Sequence, residues 1–262
     1  MKIYLAGVCK AFRSVVEGHH VLVSFHESSQ TRLISQGWDV SGWMLDSGAF
    51  SAWRGGRKID LDGYMRFIDR HHHLLDSYVA LDVIPGDPGR MPTADEASRA
   101  TEETIQNLDK MIASGFRPVP VYHEGEPVAV LDHFVERRFP VIALGGTASR
   151  GRRELVDWLL PLFQRYPQQR FHGLAMTQER IIRNLPFYSV DSTTWLNFAK
   201  YGIEGGAYLL KGRSLDFYRR LGVACLMDMP RCPDDAPPAH EGGQLPMFQL
   251  EPRKGGKDAS RS

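Results

Sequence analysis

Three apolar runs lead straight into an aspartate: Trp43-Met44-Leu45-Asp46, Val79-Ala80-Leu81-Asp82 and Tyr188-Ser189-Val190-Asp191. Carboxylates can act both as nucleophiles and as proton carriers, so three that meet around one cavity would equip it for covalent and acid/base chemistry. An aspartate after a strand also has a plain structural use, as the N-cap of the next helix. Asp46-Ser47-Gly48-Ala49-Phe50 and Asp191-Ser192-Thr193-Thr194-Trp195 suit that use less well, because small, turn-forming residues follow the acid. Pro118-Val119-Pro120-Val121-Tyr122-His123-Glu124 and Leu144-Gly145-Gly146 add a polar side chain and backbone N–H groups that a ligand can approach.

Residues this far apart in sequence meet only if the fold gathers strand ends. Short apolar segments alternate with helix-like ones to about residue 220, the pattern of repeated βα units. The expected strands are Ile3–Val8, Val21–Phe25, Gly42–Asp46, Tyr78–Asp82, Pro118–His123, Val141–Gly145, Arg170–Met176 and Tyr188–Asp191. Pro118 and Pro120 weaken the fifth as a central strand. The expected fold is therefore α/β, a single (β/α)8 TIM-like barrel over residues 1–229, in which the C-terminal strand ends share one rim. Thr93 with Glu96 reads as a capping box, and Gly115 as the end of that helix. Asp60 can cap a helix that buries Tyr64, Phe67, Ile68, His71 and Leu75. Leu155, Trp158, Leu159, Leu162 and Phe163 lie on one helical face, which Pro161 should kink or delay.

The bulk properties agree with one such unit. The chain has 262 residues, 42% of them hydrophobic, close to the usual length of this barrel and cramped for two full domains. No apolar run approaches the roughly 20 residues that a membrane span needs, and Met1-Lys2-Ile3-Tyr4-Leu5 reads as a strand; a cytoplasmic location is the expectation. Three scattered cysteines, Cys9, Cys225 and Cys232, do not make a disulfide framework. Cys225 and Cys232 with His240 do not match structural zinc spacing, and the adjacent His71, His72 and His73 point apart on a helix, so no metal site is expected. A net charge of +1 argues against a histone-like coating of nucleic acid but leaves room for a local basic groove.

Taken in order, these motifs resemble the tRNA-guanine transglycosylase superfamily, barrel enzymes that replace guanine by a 7-deazaguanine. Asp46-Ser47-Gly48-Ala49-Phe50 resembles the family's Asp-Ser-Gly-Gly-Phe segment, and Leu81-Asp82 the segment whose aspartate reads the base. His123 stands where the family has a base-binding glutamine, and Ala143-Leu144-Gly145-Gly146 resembles its Gly-Gly loop. His172-Gly173-Leu174-Ala175-Met176 and Val190-Asp191-Ser192 resemble the strands that end in the nucleophile. The resemblance spans roughly residues 40–200. Ala49 replaces a glycine, Gly145-Gly146 lacks the usual Leu-Ala-Val-Gly-Glu continuation, and the zinc-binding Cys-x-Cys-x-x-Cys insertion is absent. These departures point to the shorter phage and bacterial relatives that insert 7-deazaguanines into DNA.

The resemblance implies a role for each residue. Asp191 would hold the sugar carbon covalently while one base leaves and another enters, as in retaining glycosidases. Asp46 would give a proton to the departing guanine and take one from the incoming base. Asp82 would accept from the N–H edge of the base, with His123, Gly145, Gly146, Ser47 and Phe50 completing the pocket. Arg150, Arg152 and Arg153 are placed to meet phosphates, or else form a solvated helix start. No cofactor is needed, because one glycosidic bond is traded for another, and preQ0 (7-cyano-7-deazaguanine) or a derivative is the expected incoming base. The same exchange on tRNA, and a barrel that binds nucleic acid without turnover, are the alternatives.

From Pro230 onward prolines, glycines and charges dominate, which reads as a flexible tail over residues 230–262. Within it, Gln244-Leu245-Pro246-Met247-Phe248 resembles the peptide by which bacterial DNA enzymes dock on the sliding clamp. The competing reading is that Leu245 and Phe248 pack back on the barrel.

Overall fold

A computed structural model of the chain describes residues 1–146, 151–176 and 178–193. Arg150, the cysteine pair at 225 and 232, and the tail with Gln244, Leu245, Met247 and Phe248 lie outside the described residues.

Eight parallel strands form one sheet: β1 (Lys2–Ala6), β2 (His20–Ser24), β3 (Gly42–Asp46), β4 (Leu75–Tyr78), β5 (Val121–His123), β6 (Val141–Gly145), β7 (Arg170–Gly173) and β8 (Ser189–Ser192). Their order is β4-β3-β2-β1-β8-β7-β6-β5. Just beyond the edges, Val79 and Val119 form an isolated parallel bridge, in which Val119 N donates to Tyr78 O and Ala80 N to Val119 O, both at 2.8 Å. The helices between the strands are α1 (Arg13–Val16), α2 (Ser28–Ile34), α3 (Ala49–Arg54), α4 (Leu61–His71), α5 (Ala94–Ala113), α6 (Val128–Glu136), α7 (Arg152–Arg165) and α8 (Glu179–Asn184). Among the described residues, no helix is long and apolar enough to cross a membrane.

Strand alternation sorts the core into two layers. Ile3, Leu5, Val21, Val23, Trp43, Leu45, Ile142, Leu144, Phe171 and Val190 face the helices in the larger cluster. Their neighbours Tyr4, Ala6, Leu22, Met44, Val121 and Ala143, with Val79, form a second, separate cluster on the opposite face. Parallel strands buried on both faces read as near-continuous apolar runs, which is why the strands are visible in the sequence. The same alternation puts Asp46 on the face of Met44, His123 on that of Val121, Gly145 on that of Ala143, and His172, Ser189 and Asp191 opposite the helix-facing Phe171 and Val190.

The helix signals act as their chemistry requires. Thr93 and Glu96 complete the capping box of α5, and Gly115 takes a positive φ of 89° just past its end. The Asp60 carboxylate accepts from Asp62 N and Gly63 N at the start of α4, which buries Tyr64 and Ile68. Pro161 is accommodated inside α7, later than a delayed start would have put it.

Leu75, expected on the buried face of the helix capped by Asp60, instead opens β4, and two further expectations shift. The fourth strand, expected at Tyr78–Asp82, is hydrogen-bonded at Leu75–Tyr78, and its register against β3 slips between Trp43 and Met44. Val79 and Ala80 still bond to Leu45 O and Val119 O, and the strand pairing ends there, two residues before Asp82. The Asp46-Ser47-Gly48 segment, read as turn-forming, does lead into a helix: Gly48 adopts a left-handed φ of 78° and α3 starts at Ala49.

Candidate active site

Asp46, His123, Gly145 and Asp191 end or nearly end their strands, and in a parallel sheet all those ends lie on one edge. Asp46 accepts from Gly48 N at 2.9 Å, closing a turn that starts α3. A Cβ on Gly48 would come 2.5 Å from His26 Cβ, so only glycine fits under both the positive φ and this contact. The next residue, Ser47, is fully buried; its Oγ donates to Asp82 Oδ1 at 3.2 Å and accepts from Ala49 N at 3.2 Å. Asp46 and Asp82 are thus joined through one turn.

The carboxyl of Asp46 is pushed up to about 7, first by burial, then by the negative charges of Asp82 and Asp191, against the pull of the Gly48 and Ser47 N–H groups. This coupling brings the three sequence-predicted acids into one electrostatic neighbourhood. Tyr64 on α4 lies under the same group; its hydroxyl donates to Val79 O at 2.7 Å, and burial together with the charges of Asp46 and Asp82 holds its pKa well above the ordinary value.

Asp191 is 6% exposed and would be costly to bury as an ion without partners. Its Oδ1 receives Ala175 N at 2.9 Å and lies 3.3 Å from His172 Nε2. His172 is fully buried, with Nδ1 2.8 Å from Ser189 Oγ. Ala175 adopts a φ of 50°, a conformation rarely taken by a residue with a side chain, and this directs its N–H at the carboxylate. Among the described residues both contacts of the carboxylate are made by Oδ1.

His123 fills the gap between Asp82 and the turn before α6. Its Nε2 is 3.0 Å from Asp82 Oδ2, and its Nδ1 is 3.8 Å from Glu126 Oε1. Burial works against a charge on this ring, but the hydrogen bond to Asp82 and the facing Glu126 carboxylate, reinforced by their charges, outweigh it and raise the imidazole to about 10. His123 is therefore a cation at neutral pH. A Cβ on Gly145 would meet the ring at 2.6 Å (Cδ2) and 3.0 Å (Nε2), so β6 needs glycine here for the histidine to lie flat across it. Gly146 packs against Glu124.

The remaining expected residues are less tightly joined. Phe50 stands 53% exposed on α3, 5.6 Å from the Trp53 ring and 5.9 Å from the Arg54 guanidinium. Arg153 is exposed, 3.8 Å from Asp157, and the side chain of Arg152 lies outside the described residues, as does Arg150. His172, Ser189, Ala175 and Glu126 were not singled out as site residues. The signal for His172 and Ser189 was strand alternation, which puts both on the face of Asp191; for Glu126 and the left-handed Ala175 the sequence carries no comparable mark. Ser24, in register with Asp46, holds a buried Oγ with no hydrogen-bond partner among the described residues.

Among the described residues no cluster of three or more His, Cys, Asp or Glu is arranged to hold a metal ion. The arrangement offers a carboxyl raised to about 7 beside two further aspartates, with a buried histidine fixing one of them. No protein-family model matches the chain, and no curated protein matches it.

Proposed function

We propose that the chain is a base-exchange transglycosylase of the tRNA-guanine transglycosylase type, built on a TIM-like barrel whose sheet closes through the Val79–Val119 bridge, and that it replaces guanine in DNA by a 7-deazaguanine. The observation that carries this reading is the proton poise of Asp46 against Asp82 and Asp191. A carboxyl near 7 can both give and take a proton at neutral pH, which is what exchange of one base for another asks of it.

In this reading Asp191 Oδ2 attacks C1′ of the target nucleotide. The C1′–N9 bond breaks, its electron pair leaves with guanine, and Asp46 supplies the proton that neutralises the departing base. The incoming 7-deazaguanine then loses its N–H proton to Asp46, attacks C1′ through that nitrogen and releases Asp191. Atoms, protons and electrons balance with no cofactor. Asp82 accepts from the N–H edge of the base, Gly145 and Gly146 let it approach the backbone, and the exposed ring of Phe50 offers a stacking surface. The target base must be flipped out of a duplex or taken from a single strand, with Arg150, Arg152 and Arg153 toward the phosphates. DNA is favoured over tRNA by the missing zinc-binding cysteines.

Guanine-labelled DNA and guanine-labelled tRNA, each incubated with the protein and preQ0, separate the readings. Release of label from DNA alone is the expected result. Release from tRNA alone overturns the choice of substrate, and release from neither, with intact, folded protein, overturns the enzyme reading. Asp191→Ala should abolish release and trap no covalent DNA adduct; an adduct that persists would show that another residue is the nucleophile.

A further inference from the structure

Glu126 lies in the turn between β5 and α6, and nothing in the mechanism above uses it. Its side chain is only 10% exposed, and three elements hold it. Oε2 accepts from His123 N at 2.7 Å, Oε1 accepts from Thr101 Oγ1 of α5 at 3.0 Å, and its carbonyl accepts from Tyr122 Oη at 3.0 Å. The carboxylate is thereby fixed with Oε1 facing Nδ1 of His123, while Asp82 takes the other ring nitrogen. A neutral imidazole has one N–H and could satisfy only one of two flanking carboxylates; a cation with two N–H groups serves both.

We infer that Glu126 is a positioning residue of the base pocket: it holds His123 as a donor at both ring nitrogens, and His123 in turn orients Asp82 as an acceptor for the N–H edge of the base. The inference rests on the exchange reading for what Asp82 binds, but the charge relay itself does not. The titratable groups that face the ring are Asp82, on the segment after β4, and Glu126, in its own turn; β6 presents Gly145 and α5 presents Thr101, neither of which titrates. Asp82 accepts from Ser47 on one oxygen and His123 on the other, so both are aimed while each keeps a lone pair for a ligand.

A purely structural Glu126 would brace the turn through His123 N and Thr101 and leave the ring's charge alone. Glu126→Gln separates the two roles, since the amide oxygen can still accept from the turn while the negative charge is gone. The probe is imidazole nitrogen NMR of the full chain with labelled histidine, the His123 signal being assigned by its loss in His123→Asn. In the unaltered protein the signal should remain that of a cation to pH 8.5, and in Glu126→Gln its midpoint should fall by about one pH unit or more. At pH 9.5 the same variant should raise KM for guanine about threefold or more and leave kcat within about twofold. A neutral His123 at pH 7 in the unaltered protein overturns the inference, and this holds even if the variant does not fold. An unmoved midpoint with an unmoved KM overturns it as well. If the midpoint moves but no nucleic acid supports exchange, the relay stands and the exchange reading fails.

Discussion

His172 Nε2 stands 3.3 Å from Oδ1 of Asp191, and the other nitrogen of the same fully buried ring stands 2.8 Å from Ser189 Oγ. One neutral ring satisfies both contacts when Nε2 donates to the carboxylate and Nδ1 accepts from the serine hydroxyl. Two adjacent strands thus aim one carboxylate, held at Oδ1. His172→Phe keeps a ring of similar size but removes both contacts. Because a misplacement of about 1 Å can cost on the order of 10²-fold, kcat for guanine exchange should fall by about that factor, with KM for the base within about threefold. Steady-state kinetics check it; a change in KM alone would show that the histidine does not act through Asp191.

In the proposed exchange, the proton poise of Asp46 sets the pH dependence of guanine release. Guanine departure needs the protonated carboxyl, which is lost above about 7. The rate of guanine release under single-turnover conditions should therefore decline about tenfold for each pH unit above that value. A release rate that stays flat to pH 9 would remove Asp46 from the role of acid.

The same group predicts a stability effect whose sign follows from the two states. In the unfolded chain Asp46 ionises near its ordinary value of 3.8, whereas in the fold it keeps its proton to about 7. Between those values the folded state binds more protons, so this residue's contribution to stability declines as pH rises from about 4 to 7 and is constant above. Asp46→Asn removes the penalty. Urea unfolding should show the variant more stable at pH 8 by on the order of 2–4 kcal/mol and nearly unchanged at pH 4. Equal stability at both pH values would mean that the carboxyl is not strained in the fold.

How much of this was legible in the sequence depends on which force places each residue. Asp46 and Asp191 were legible because an apolar strand of alternating faces fixes both the position and the side on which its last residue emerges. Asp82 was legible as a site residue although its strand was misplaced: Leu75 and Tyr78 pair with β3, the pairing ends at Ala80, and Asp82 reaches Ser47 and His123 from beyond it. The helix at Ala49 escaped notice because it is entered through a left-handed glycine and not through a side-chain cap. Glu126 could not be read at all, since its meaning arises from Thr101 on α5 and His123 on β5, brought together by tertiary packing.

The fit of His123 across β6 gives a test by addition of a single methyl group. At Gly145 a Cβ would lie 2.6 Å from Cδ2 and 3.0 Å from Nε2 of the imidazole, and 3.3 Å from Val121 Cγ1. The strand backbone is held by its ladder to Val121 and His123, so the ring is the part that yields, and a shift at Nε2 disturbs its contact with Asp82. Gly145→Ala should cost about 1–3 kcal/mol of stability, the usual range for overpacking a closed site. It should also lower the pH at which the His123 signal titrates, because the ring loses its hydrogen bond to a carboxylate. Gly146→Ala, whose added carbon would meet Glu124 at 3.2 Å and not the ring, should leave that titration where it is. Equal shifts in both variants would trace the effect to the backbone of the turn and would detach Gly145 from the placement of His123.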